Sequence, residues 1–109
     1  MLIAVAGPYS APTEEQKQAN LDAMNRAAAQ VYEKGHIPVI GVNVALPVAL
    51  MLPGKDRREV INEISFAVVE KCDAILMIGS SAGADKEREI IEAKGLPVYY
   101  SIDEIPYCN

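Results

Sequence analysis

Two cysteines and one histidine are the only thiols and imidazole of this 109-residue chain, and it has neither a basic run nor a long unbroken apolar stretch. Cys72 and Cys108 lie far apart, with no second Cys or His at metal spacing around either. A structural zinc site and a disulfide framework are both excluded on those grounds. Free thiols remain, one buried and one terminal, and they fit a reducing cytoplasm. The single histidine, His36, has no catalytic neighbour in sequence and reads as the start of a strand.

Basic residues number 10 and acidic residues 15, which gives a net charge of −5 with both signs scattered. Without a cluster of Lys or Arg to track a phosphate backbone, bulk nucleic acid is not an expected partner. The opening apolar run stops at Gly7-Pro8, too short for a secretory leader. The other apolar stretch, Ile37 to Leu52, is broken by Pro38, Gly41, Asn43 and Pro47. A membrane span needs roughly 20 consecutive apolar residues, so no membrane role is expected.

What the chain does have is an apolar half, enough for one continuous core but not for a second domain. Leu2 to Ala6 is wholly apolar, the pattern of a central strand covered on both faces. From Thr13 to Lys34 the apolar positions Leu21, Met24, Ala28 and Val31 recur at helical spacing, with Thr13 as cap and Gly35 as stop. His36 to Ile40 is a second strand, which Pro38 confines to the sheet margin. Gly41 to Gly54 is compatible with a short helix or with an ordered loop. Asp56 caps a helix with Val60, Ile61, Ile64, Ala67 and Val68 as its inward face, ending near Lys71. Ala74 to Ile78 is a third strand, Ala84 to Lys94 a helix, and Pro97 to Tyr100 a fourth strand. Strands alternating with helices predict right-handed crossovers. The expected fold is a single-domain, three-layer α/β sandwich of Rossmann or flavodoxin type, on a mainly parallel sheet of four to five strands.

In such sheets ligands bind beyond the carboxyl ends of the strands, where the strand order reverses. Two small, polar loops qualify: Gly7-Pro8-Tyr9-Ser10 after the first strand and Gly79 to Gly83 after the third. Neither matches a dinucleotide or P-loop fingerprint. The helix start near Ala84 offers free N–H groups to an anion, with the Ser81 hydroxyl beside it. Glu87 lies about one turn into that helix and can lean back over the pocket. Arg57 and Arg58 read as a solvated helix start, able to reach a phosphate only if the loop at Gly54 folds over the pocket.

The ordered set GPYS, then CDAILMI, then Ser81-x-Gly83-x-x-x-Glu87, then Gly95-Leu-Pro-Val resembles the nucleoside 2-deoxyribosyltransferase superfamily across almost the whole chain. It is most similar to a short bacterial and phage branch of unknown function. The resemblance implies that Glu87 is the nucleophile attacking C1′ of a (deoxy)ribosyl group, in the manner of a retaining glycosidase. It implies further that Tyr9 orients Glu87, and that Ser81 with the adjacent N–H groups holds a 5′-phosphate. Gly7, Pro8, Ser10, Ser81, Gly83, Ala84 and Asn43 are the expected substrate contacts. The expected ligand is a nucleoside or nucleoside monophosphate, with no metal or organic cofactor.

One position departs from the superfamily. Eight residues before Asp73, where an aspartate is usual, stands Ser65, and Glu63 falls about 200° round the helix from it. The loss bears on turnover more than on binding, and leaves open a catalytically inactive nucleotide-binding or sensing module. The apolar segment Val42 to Leu52 also predicts a homo-oligomer, and a structural partner domain is the third reading.

Overall fold

The computed structural model describes residues 1–108. Strand β1 (Leu2–Ala6) is buried on both faces because its alternate side chains enter two separate cores. Ile3 and Val5 pack with Met24, Ala28 and Val31 of helix α1 (Glu14–Glu33). Ala4 and Ala6 pack on the opposite face with Val69, Ile75 and Ile91. A strand with apolar residues at every position requires such a covering on both sides.

Strands β2 (Ile37–Val39), β3 (Ala74–Met77) and β4 (Val98–Tyr99) complete an all-parallel sheet in the order β2-β1-β3-β4. β1 and β3 are the adjacent central pair, in register from Ile3 opposite Ala74 to Ala6 opposite Met77. β2 lies at the edge, where Pro38 costs no ladder bond. This is the expected Rossmann or flavodoxin-like sandwich. β3 stops at Met77, one residue earlier than its pattern suggests: Ile78 still donates to the Ala6 carbonyl but is 38% exposed.

The caps read from sequence are in place. The Thr13 hydroxyl accepts from the Gln16 N–H at 3.1 Å, and Gly35 takes φ +90° where α1 stops. Asp56 accepts from the Glu59 N–H at 3.0 Å at the start of helix α3 (Arg57–Glu70). His36 is a satisfied core residue away from the cavity described below. Its Nε2–H donates to the Pro106 carbonyl at 2.6 Å, and the Met1 amino group donates to Nδ1 at 3.0 Å. Cys72 is buried and Cys108 exposed, and burial pushes the Cys72 thiol up to about 11, which leaves it unreactive.

The ambiguous segment after β2 is a helix, α2 (Gly41–Leu50), with Pro47 inside it. Val42, Ala45 and Ala49 form its buried stripe, so packing decides its conformation over the β-branched residues and proline that argue against a helix. It packs along α3, and the contact is close at its first residue. A Cβ on Gly41 would stand 2.5 Å from the Ser65 Cβ and 3.1 Å from its Cα. Gly41→Ala is expected to cost about 1–3 kcal/mol as overpacking. Urea unfolding measures it, and an unchanged midpoint would show that the two helices can part freely.

The inward face of α3 matches its predicted one only in part. Ile61 packs against the core as expected, but Ser65 and Val69 are the fully buried residues, Ala67 is exposed, and Val60, Ile64 and Val68 are only half-buried. Helix α4 (Ala82–Ala93) begins two residues earlier than expected, with Ser81 as its cap. Among the described residues no helix is long and apolar enough to cross a membrane.

Candidate active site

Because β1 feeds α1 to one side and β3 feeds α4 to the other, the strand order reverses between them, and their carboxyl ends open a crevice. The crevice is a cavity of about 550 Å³, within the size range of small-molecule sites. Its floor is Val5, Ala6 and Met24, and apolar walls come from Ile40, Val42 and Ile61.

Seven of the expected residues meet here. Gly7, Tyr9 and Ser10 enter from the first loop, and Ser81, Gly83, Ala84 and Glu87 from the start of α4. Pro8 and Asn43 lie elsewhere. Pro8 packs beside Gly79, whose Cβ would stand 2.8 Å from the proline Cδ, so it shapes the meeting of the two loops. Asn43 is exposed on the far side of α2 and donates to Asn25 Oδ1 on α1 at 2.8 Å. A residue two positions into a helix whose first residues face the cavity is turned about 200° away from it.

The start of α4 is a capped helix with spare donors. The Ser81 hydroxyl accepts from the Ala84 N–H at 3.1 Å, so that amide is engaged rather than free. The Ala82 and Gly83 N–H groups have no partner among the described residues. They, with the Ser81 hydroxyl proton, are the donors an anion could use. The Ser80 hydroxyl is turned away, donating to Asp85 at 2.9 Å.

Among the described residues Glu87 is the only acid lining the cavity. Its Oε2 is fully buried and without a hydrogen-bond partner among the described residues. Burial pushes the carboxyl up to about 7, and the Ser65 hydroxyl beside it pulls the other way. Tyr9 lines the same cavity, but no hydrogen bond joins it to Glu87 among the described residues; its own carbonyl accepts from the Asn20 amide at 3.0 Å. Ser65, the residue that replaces the superfamily's usual aspartate, is therefore the polar neighbour of Glu87 in the structure.

Two groupings were not read from the sequence, although it singled out Arg57, Arg58 and Ser65 one by one. α3 presents a polar stripe, Arg58, Asn62 and Ser65, to the cavity. Their spacing of four and three, continued by Val69, is a helical face that the stronger apolar pattern beside it conceals. The second group is cationic: Lys17, Arg57, Arg58 and Lys86 all line the cavity. The arginines reach it from the first turn of α3 with no help from the loop at Gly54, which has nothing within 4 Å of its added Cβ. Cations in a first turn oppose the helix dipole, at about 0.3–1 kcal/mol each when exposed.

The model of one protein family, described as Domain of unknown function (DUF4406), matches residues 1–100. No curated protein matches the chain.

Proposed function

The chain belongs to that family, whose description assigns no chemistry, and from the site itself we propose a nucleoside or nucleotide N-glycosyl hydrolase or transferase. The observation that carries the reading is Glu87: a lone carboxyl, its Oε2 buried and unpartnered among the described residues, in a cavity whose other charged lining residues are cations. A carboxylate desolvated in this way is reactive towards an electron-poor carbon and is poorly served by its surroundings until a ligand arrives.

In the proposed reaction a Glu87 oxygen forms a bond to C1′ of the sugar as the C1′–N bond breaks. The electron pair leaves on the base nitrogen, which takes a proton. The glycosyl ester is then opened by water, or by the nitrogen of a second base, at the same carbon. Tyr9 borders the sugar, and the Ser81 hydroxyl with the Ala82 and Gly83 N–H groups supports a phosphate. Free thiols fit the same cytoplasmic setting.

Chromatography of a panel of nucleosides and nucleoside monophosphates tests the reading, with release of free base as the expected result. Tight binding without release would favour a nucleotide-binding module. Ser65 in place of an aspartate is the specific observation on that side.

Assembly is part of the proposal. Val44, Val48, Leu50, Met51 and Leu52 are exposed on and after α2, between 41 and 80%, and clustered exposed apolar residues mark interaction surfaces. A second copy of the chain is the proposed cover. Light scattering at micromolar concentration is expected to give at least a dimer, and a monomer would remove this part.

A further inference from the structure

We propose that the cavity takes a nucleotide with two anionic groups, of the nucleoside diphosphate class, one group at the start of α4 and the other against Arg57, Arg58 and Lys17. It rests on the reading above that the ligand is a nucleotide, and adds what charge that nucleotide carries.

The first argument is the charge balance. In a chain where acids outnumber bases 15 to 10, the cavity collects four cations and one acid. The second is depth. Along the polar stripe of α3, Ser65 is buried, Asn62 half-buried and Arg58 exposed. The stripe therefore runs from the inner wall of the cavity to its mouth.

Asn62 marks where this stripe meets α4, since a Cβ on Gly83 would stand 3.9 Å from its Oδ1. An anion on the Ala82 and Gly83 N–H groups would sit at that level, with Lys86 on the same helix. Arg58 lies four residues, just over one turn, further out, about 6 Å along the helix axis. The arginines thus serve a second group nearer the mouth.

The third argument is that these cations are uncommitted. Arg57, Arg58 and Lys86 form no ion pair among the described residues, and Lys17 is held only by the exposed Glu14, at 3.2 Å. Arg57 and Arg58 stand at the first two positions of α3, where the dipole favours acids. An anionic ligand removes that conflict, and Arg binds phosphate oxygens in bidentate fashion.

The test is calorimetric titration of the full chain with each deoxynucleoside, its 5′-monophosphate and its 5′-diphosphate. The diphosphate is expected to bind about tenfold or more tighter than the monophosphate of the same base. In R57Q/R58Q that ratio is expected to fall below about threefold, with monophosphate affinity little changed. Both side chains are exposed, so the fold is expected to survive, and circular dichroism checks it.

Equal affinity for mono- and diphosphate, a variant that weakens both alike, or no binding of any phosphorylated probe would each overturn the proposal. Base release from a monophosphate without diphosphate preference would overturn it and leave the glycosyl reading standing. An arginine-dependent diphosphate preference without base release would do the reverse.

Discussion

Glu87→Gln is expected to lower base release by about a thousandfold or more while nucleotide binding survives. The amide keeps the shape of the side chain but cannot donate an electron pair to C1′ as a carboxylate does. Glu89→Gln is the matched control, because Glu89 lies two residues on, about 200° round α4, and is exposed. Chromatographic release assays on both variants read the difference, and equal loss in the two would end the nucleophile assignment. The same assignment fixes a pH profile. Since only the ionised carboxyl attacks and its pKa is about 7, kcat/KM should climb with pH through neutrality and then level. A profile falling over that range would make Glu87 a proton donor instead.

The second large effect is on stability. The Glu87 carboxyl titrates near 4.5 in the unfolded chain and near 7 in the folded one. The folded state therefore holds the proton more tightly. Below 4.5 both states are protonated and burial of the neutral acid costs little. Between 4.5 and 7 the unfolded chain ionises first, so stability falls as pH rises, and above 7 the whole penalty is present. One pKa unit corresponds to about 1.4 kcal/mol, so the penalty is roughly 3 kcal/mol. Glu87→Gln should be the more stable protein at pH 8, by about 2–3 kcal/mol, and should lose that advantage by pH 4. Denaturant midpoints across pH measure the difference. A constant offset would mean that Glu87 is better solvated than its surroundings imply. A residue that destabilises the empty fold and lines its cavity fits a group retained for chemistry.

The central sheet was legible because its signals are local and redundant. Leu2–Ala6 and Ala74–Met77 have no polar position, which only burial on both faces permits, and Thr13, Gly35 and Asp56 mark helix ends by their own backbone chemistry. Much of the site was legible too, since the loop after a central strand of an open parallel sheet lies at the crevice whatever its composition. Gly7, Tyr9, Ser81, Gly83 and Glu87 follow from position in that sense.

The remainder depended on distances between elements, which no local pattern encodes. Val60, Ile64, Ala67 and Val68 outweigh Arg58, Asn62 and Ser65 in hydrophobicity, yet the polar stripe, with Ile61 beside it, is the one turned to the crevice. Here α2 comes so close that Gly41 has no room for a Cβ against Ser65, a contact between helices that no local pattern announces. Asn43 left the site for a related reason: once Gly41–Leu50 is helical, its second neighbour is turned outward to Asn25. The convergence of Lys17, Arg57, Arg58 and Lys86 is the furthest from local, since three helices carry them from positions up to 69 residues apart. By itself, the order of residues determined the strands and their order along the chain, the helix ends at Thr13, Gly35 and Asp56, and the side of the sheet on which the crevice opens, because each depends on near neighbours and on the handedness of the crossovers. Only the tertiary structure decided which face of α3 lines the crevice, which amides stay free at α4, and how charge collects around Glu87, because these depend on the packing of helices remote in sequence.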